Sequence, residues 1–146
     1  MSFKYALSGI YKAVRTEFNL RFHFVIANLI CIFAYFYGLN KAEWAVLLLT
    51  VFAVISAELM NTAVEKAVDT ATNDILPTAK LAKDASAGAV LVLAIGSVII
   101  GFCLFGDLRW INDALYQIFS DWTVLAPCLF VGALDILFLF FFKEKN

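Results

Sequence analysis

Charged residues are scarce in this sequence, and their scarcity excludes one large class of function. They make up 16% of the 146 residues, and the formal net charge is −1. A protein that binds nucleic acid usually presents a basic patch to the phosphates, so we expect no nucleic-acid partner. The three cysteines show neither the CxxC nor the Cys/His spacing of a metal or redox site. We interpret them as small buried apolar residues.

Hydrophobic residues, by contrast, are abundant. They account for 63% of the chain, compared with about 45–50% in a typical soluble domain. A membrane-spanning helix needs about 20 mostly apolar residues, and four apolar stretches approach that length, at residues 22–38, 43–63, 86–106 and 123–142. The sequence therefore predicts an all-α, multi-pass membrane protein with four transmembrane helices.

The distribution of lysine and arginine predicts the orientation of these spans. Only Lys41 and Arg109 fall on one side of the membrane, and nine basic residues fall on the side of both termini. The nine are Lys4, Lys12, Arg15, Arg21, Lys66, Lys80, Lys83, Lys143 and Lys145. Because basic residues favour the cytoplasmic side, we expect an inner (plasma) membrane protein with both termini and residues 64–85 in the cytoplasm.

Two further segments carry an apolar stripe of helical period. Residues 3–21 predict an amphipathic helix on the inner membrane surface. Residues 108–122 predict a second such helix on the outer surface, where its tryptophans suit the headgroup layer. No internal repeat or Pro/Gly linker divides the chain. We therefore expect a single domain, with a core at residues 1–106 and an added amphipathic segment and span at residues 107–146.

A polar face at the end of the second span carries the chemistry. At about 100° per residue, Glu58, Asn61, Glu65 and Asp69 lie within roughly 80° of one another on a helix. A carboxylate inside a membrane helix costs a few kcal/mol and is normally kept for function, and Glu58 is suited to removing a proton from a hydroxyl. Crowded carboxylates also attract a divalent cation. The simpler alternative is a polar seam between helices, but such a seam needs no comparable density of negative charge.

Three more polar residues lie near this face in the predicted topology. Glu17 precedes the first span, and taken alone it would be a solvated surface residue. Lys83 and Asp84 open the third span, just before a run of small residues. Alone, they would be a border lysine and a helix-starting aspartate. Beside the acidic face, Lys83 is better interpreted as a phosphate ligand, with Asp84 as its partner.

Together these residues resemble the prokaryotic diacylglycerol kinase and undecaprenol kinase family. Its hallmark is a Glu-x-x-Asn-[Ser/Thr]-Ala-x-Glu-x-x-x-Asp helix followed by a Lys-Asp pair. Here the pattern reads Glu58, Asn61, Thr62, Ala63, Glu65 and Asp69, followed by Lys83 and Asp84. The segment Glu17-Phe18-Asn19-Leu20-Arg21-Phe22-His23 resembles the undecaprenol kinase branch, and the resemblance extends over about residues 3–106.

The resemblance implies an integral membrane lipid kinase that moves the γ-phosphate of ATP onto a membrane lipid alcohol, most simply undecaprenol. It also implies a Mg²⁺ cofactor and a homotrimer with active sites shared between neighbouring protomers at the cytoplasmic surface. The chain has no Walker A motif and no glycine-rich kinase loop, but this family binds nucleotide without either.

The resemblance also implies a role for each motif residue. Glu58 would be the general base, and Glu17 and Glu65 would hold the magnesium. Asn61 and Lys83 would bind the γ- and β-phosphates. Asp69 and Asp84 would lie in the nucleotide site, where they orient Lys83 or meet the ribose and adenine end.

Three alternatives remain open from the sequence. A diacylglycerol kinase would differ only in the alcohol that it accepts. An ion or proton carrier would use Glu58, Glu65 and Asp69 as a relay, although these acids gather at one boundary of the membrane. A silent scaffold would not need Lys83 and Asp84 beside the acidic face. Residues 107–146 depart from the family pattern. They include Asp135 in the fourth span, which either pairs with a polar group of the bundle or is a satisfied structural acid.

Overall fold

The computed structural model describes residues 2–71 and 76–142, and every regular element in these ranges is a helix. In chain order the helices are α1 (Ser2–Thr16), α2 (Phe18–Tyr37), α3 (Lys41–Ala71), α4 (Pro77–Leu104), α5 (Leu108–Ser120) and α6 (Trp122–Phe141). The predicted all-α fold class is confirmed. Lys143 and Lys145, two of the basic residues that predict a cytoplasmic C-terminus, lie outside the described residues.

Four of the described helices, α2, α3, α4 and α6, are long and apolar enough to cross a membrane. The prediction of four spans is therefore confirmed. α3 has 31 residues, which gives it a length of about 46 Å, whereas the hydrocarbon core of a bilayer is about 30 Å thick. α3 is therefore longer than the hydrocarbon core is thick. Its acidic face lies in the C-terminal half of the helix.

The surface helix α1 is shorter than the predicted segment of residues 3–21. It ends at Thr16, and Glu17 has an extended backbone (φ −99°, ψ 118°) before α2 begins at Phe18. The apolar stripe runs through both helices, so its period does not reveal the break between them. The break turns the chain from the membrane surface into the first span and leaves Glu17 at the corner.

A tight connection joins α2 to α3. Gly38 adopts a left-handed conformation (φ 82°), and its N–H donates to the carbonyl of Ala34; glycine reaches this conformation without a steric penalty. Asn40 then caps α3, because its side-chain oxygen accepts from the N–H groups of Ala42 and Glu43. The Glu43 carboxylate accepts in turn from the Asn40 N–H, and this reciprocal pairing fixes the start of the helix.

The last two helices begin at aspartate caps. Asp107 accepts from the N–H of Arg109 at the start of α5, and Asp121 accepts from the N–H of Thr123 at the start of α6. The Thr123 hydroxyl, which also donates to Asp121, and the Thr123 N–H lower the pKa of the Asp121 carboxyl group below its usual range. The N–H and the guanidinium of Arg109 lower the pKa of Asp107 in the same way. The cluster at this end of the bundle buries Ala114 of α5 against Ala34 and the residues around it, which returns the chain to the first span.

The helices pack unequally. α3 and α4 lie together along much of their length, whereas α2 contacts α1, α3, α5 and α6. Among the described residues, neither α4 nor α6 has a buried side chain. Exposed apolar side chains are expected on helices that cross a membrane.

Candidate functional site

The centre of the site is the carboxyl group of Glu58 on α3, which is only 4% exposed. The side chain of Asn19, in the first turn of α2, lies beside this carboxyl group. His23, Glu65 and Glu17 lie close enough to this carboxyl group to interact with it electrostatically. The first turns of α2 and the corner at Glu17 therefore cover the acidic face of α3.

Asn61 connects the acidic face to α4. Its amide nitrogen donates to Glu65 Oε1 at 3.0 Å, and its amide oxygen accepts from Ser86 Oγ at 2.7 Å. Ser86 Oγ also lies 2.9 Å from the carbonyl oxygen of Lys83. Asn61 is 9% exposed, and these two contacts fix the orientation of its amide. One N–H of the amide remains available to a ligand, because the group has two.

Glu17 lies against the C-terminal part of α3. Its Oε1 is 3.2 Å from Lys66 Nζ, and it also accepts a hydrogen bond of 3.2 Å from the Thr16 hydroxyl. The Glu17 side chain is 24% exposed, compared with 63% for Lys66. An ion pair this accessible to water is weak, so Lys66 can be displaced from Glu17 by a stronger cation.

Lys83 forms its ion pair with Asp69 rather than with Asp84. Lys83 Nζ and Asp69 Oδ1 are 2.9 Å apart across the α3–α4 interface, whereas Asp84 is exposed. Lys83 therefore contacts Asp69, one of the two aspartates expected to orient it. Adjacent residues of a helix diverge by about 100°, so a side chain at position 84 does not share the α3-facing side of position 83. Asp69 orients Lys83 instead.

An apolar cavity opens beside the acidic face. It has a volume of about 280 Å³ and lies between α2, α3 and α4. Its wall runs from His23, one of the groups that act on Glu58, through Ile30 and Val51 to Gly101 and Phe105. A cavity of this kind suits a hydrocarbon chain whose polar end lies near the carboxylate.

The oxygen donors beside Glu58 fit a magnesium ion. Within residues 2–71 and 76–142, no three His, Cys, Asp or Glu side chains lie close enough together to hold a metal by themselves. Mg²⁺ keeps several waters, however, and is usually bound through one or two carboxylates plus phosphate oxygens. Glu17 and Glu65 both act on Glu58 and supply two such carboxylates.

The structure therefore gathers most of the predicted site residues within one chain. Glu17 and Glu65 lie near Glu58, and Asn61 contacts Glu65. The Asp69–Lys83 pair lies further along α3 and α4. Asp84 is the one predicted residue without a described contact to this group.

Sequence reasoning did not assign four residues that the structure places in contact with the site. They are Asn19, His23, Lys66 and Ser86. A signal existed for the first two, because Asn19 and His23 are four residues apart and share one face of α2. Lys66 and Ser86 depend on the docking of α1 and α4 against α3, which no local pattern reveals.

The chain also matches known proteins. The model of the prokaryotic diacylglycerol kinase family matches residues 4–105. An undecaprenol kinase of Bacillus subtilis is 43% identical over 104 residues, which cover 71% of this chain and 85% of the relative. No solved structure matches the chain.

Diacylglycerol kinases are similar to nearly the same extent. The protein of Synechocystis is 42% identical over 105 residues, which make up 71% of this chain and 60% of the relative. The protein of Haemophilus influenzae is 31% identical over 105 residues, or 71% of this chain and 89% of the relative. The family match at residues 4–105 leaves α5 and α6 outside the shared region.

Proposed function

The chain belongs to the prokaryotic diacylglycerol kinase family, and we propose that it transfers the γ-phosphate of ATP to the hydroxyl of undecaprenol at the cytoplasmic face of the inner membrane. It is a lipid kinase of the membrane. The lipid, the metal, the residue roles and the assembly are the parts that we propose.

The observation that carries the proposal is the position of the Glu58 carboxyl group. It is buried on a membrane helix, and one of its neighbours, His23, also lines the apolar cavity. A lipid tail in that cavity brings its terminal hydroxyl to the carboxylate. Glu58 then removes the hydroxyl proton as general base. The resulting oxygen attacks the γ-phosphorus, and the bond from that phosphorus to the bridging oxygen breaks as ADP leaves.

The other residues position the phosphates. Phosphoryl transfer depends on positioning and charge neutralisation more than on covalent chemistry. The amide of Asn61 donates to the γ-phosphate, and Lys83, oriented by Asp69, neutralises the β-phosphate. Asp84 is exposed and is assigned to the ribose and adenine end of the nucleotide.

Glu17 and Glu65 are the residues that would hold a magnesium ion, which would supply positive charge to the phosphates. They flank Glu58 from two different elements, the α1–α2 corner and α3. Lys66 forms an ion pair with Glu17, so a magnesium ion held by Glu17 would exchange one cation for another at this carboxylate.

Undecaprenol is proposed over diacylglycerol because the segment Glu17-Phe18-Asn19-Leu20-Arg21-Phe22-His23 resembles the undecaprenol kinase branch. Sequence identity does not separate the two substrates, because it is 43% to an undecaprenol kinase and 42% to a diacylglycerol kinase.

The assembly and the domain boundaries complete the proposal. The family resemblance supports a homotrimer that completes its sites between protomers. The cytoplasmic orientation is supported by the nine-to-two distribution of basic residues. The proposal of one domain over residues 1–106 and 107–146 is supported by Phe138 of α6, which packs in the same cluster as side chains of α1, α2 and α3.

A phosphorylation assay in mixed micelles tests the proposed substrate. The purified protein is incubated with ATP, Mg²⁺ and either undecaprenol or diacylglycerol at matched mole fractions, and the phosphorylated lipid is quantified. We expect a higher kcat/KM for undecaprenol. A preference for diacylglycerol would mean that the protein is a diacylglycerol kinase rather than an undecaprenol kinase. No transfer to either lipid would contradict the lipid kinase assignment.

A further inference from the structure

Helix α6 lies outside the part of the chain that matches the family, yet it contacts the corner that carries Glu17. The family match ends at residue 105, and α6 spans Trp122–Phe141. Contacts between α6 and the first two helices occur at three levels.

The first contact is apolar. Ala13 and Val14 of α1 and Leu20 of α2 form a buried cluster, and Phe138 of α6 packs against it. Leu59, the residue after Glu58, packs against the same cluster. Phe138 therefore supports the α1–α2 corner next to the catalytic carboxylate.

The second contact is a buried arginine. Arg21 of α2 is 3% exposed. Its Nη1 donates to the carbonyls of Val14 at 2.8 Å and Arg15 at 3.1 Å, and its Nε donates to the carbonyl of Leu139 at 3.0 Å. One rigid guanidinium thus connects the last turn of α1, the first turn of α2 and the last turn of α6.

The third level consists of contacts on either side of the arginine. Deeper in the membrane, Asn28 of α2 donates to both carboxylate oxygens of Asp135 at 2.9 and 3.1 Å. At the surface, the ring of Phe142 makes an edge contact with Tyr11 at a centroid distance of 6.2 Å. The guanidinium of Arg15 lies 5.6 Å from the same ring centroid. Asp135 is therefore paired with a polar group of the bundle.

Few side chains of α1 are buried. Among the residues of α1 whose burial the structure describes, Phe3 to Lys12 are exposed and Ala13 and Val14 are buried. Towards α3, a pocket of about 350 Å³ separates the two helices and is lined by Gly9, Thr16 and Leu59, among others. α3 therefore covers α1 only in part, and side chains of α6 complete the contacts of the corner.

We propose that α6 is a strut that fixes the α1–α2 corner, and that Phe138 and Arg21 are positioning residues for Glu17. The effect on catalysis rests on the proposed function, in which Glu17 holds the metal. The effect on α1 itself does not depend on that function. A strut of this kind sets the metal affinity of the site without contacting metal, nucleotide or lipid.

Hydrogen–deuterium exchange of the full-length protein in nanodiscs tests the strut independently of catalysis. Phe138→Ala is compared with Phe130→Ala, the same change two turns away on α6 at a side chain that is 65% exposed. We expect amide exchange in α1 to increase by about tenfold in Phe138→Ala, because its last turn opens more often, and to stay at the wild-type rate in Phe130→Ala. Equal exchange rates in α1 of the two variants would overturn the proposal.

A second variant covers the case in which Phe138→Ala does not insert. Arg21→Lys keeps the charge but cannot reach the carbonyls of both α1 and α6, and Arg109→Lys is its control at a side chain that is 90% exposed. Faster exchange in α1 is expected only in Arg21→Lys, and wild-type exchange in both variants would overturn the strut.

The kinase assay links the strut to Glu17. In the positioning variants, the magnesium concentration at half-maximal activity is expected to rise several-fold, with kcat at saturating magnesium largely kept. A purely structural loss would instead lower kcat and leave that midpoint unchanged, and this result would overturn the positioning role. If the wild-type protein transferred no phosphate to lipid, the proposed function would fail, and the exchange experiment would still decide on the strut.

Discussion

Lys66 and Glu17 form an ion pair between α3 and the α1–α2 corner, with Nζ and Oε1 3.2 Å apart. The same glutamate is one of the two carboxylates assigned to magnesium. Lys66 therefore competes with the metal for Glu17. An exposed ion pair contributes about 0.2–1 kcal/mol, which magnesium bound to a nucleotide readily exceeds.

Removing Lys66 should make the metal easier to bind. In Lys66→Met, the magnesium concentration at half-maximal activity is expected to fall by about 1.5- to 5-fold, which corresponds to the loss of one exposed ion pair. Lys80→Met, at an exposed lysine of α4, serves as the control and should leave the midpoint unchanged. A rise in the midpoint of Lys66→Met would mean that Lys66 supports the metal site rather than competing with it.

Neutralising either proposed metal ligand should have the opposite effect. In Glu17→Gln and in Glu65→Gln, we expect a higher magnesium requirement together with a lower rate, because each change removes one anionic oxygen donor. Asp113→Asn, at an exposed residue of α5, controls for the loss of one negative charge. Magnesium titrations that are unchanged in both glutamate variants would contradict the assignment of the pair.

Ser86 should tune nucleotide binding through Asn61. Ser86→Ala removes the hydroxyl that donates to the amide oxygen of Asn61, so the amide loses its fixed orientation. One hydrogen bond is worth about 0.5–1.5 kcal/mol, so the KM for ATP should rise by roughly 2- to 13-fold. Ser56→Ala, at an exposed serine of α3, should keep the wild-type KM. Equal KM values in the two variants would mean either that Asn61 does not bind the phosphates or that Ser86 does not orient it.

The orientation of the chain is tested with a reporter fused after Asn146. Nine of eleven basic residues lie on the side of the termini, so a reporter that is active only in the cytoplasm should give a signal. A reporter that is active only outside the cytoplasm should stay silent at the same position. The reverse pair of signals would mean either that the chain has the opposite orientation or that α6 does not cross the membrane.

The features that the sequence predicts correctly are those with a local period. The four spans follow from runs of apolar residues, and Glu58, Asn61 and Glu65 share a face because a helix advances 100° per residue. The structure accordingly places Asn61 in contact with Glu65. The family pattern adds Glu17, whose contact with the acidic face involves a different helix.

The features that the sequence does not reveal are contacts between distant segments. Lys83 pairs with Asp69 rather than with its neighbour Asp84 because the facing helix decides which side chains meet. The break at Glu17 is invisible to an apolar stripe that continues through it. The docking of Phe138 and Leu139 at the α1–α2 corner depends on the packing of an added helix, which neither a local period nor the family pattern covers.

The most direct test of the account is the steady-state kinetics of Glu58→Gln with undecaprenol and ATP. Glutamine keeps the shape and most of the hydrogen bonding of the side chain but removes its basicity, so insertion, assembly and the KM for ATP should stay close to the wild type. Loss of a general base lowers the rate by about 10²–10⁴, and we expect a decrease of that order in kcat. Near-normal turnover in Glu58→Gln would contradict the account and transfer the role of base to another group.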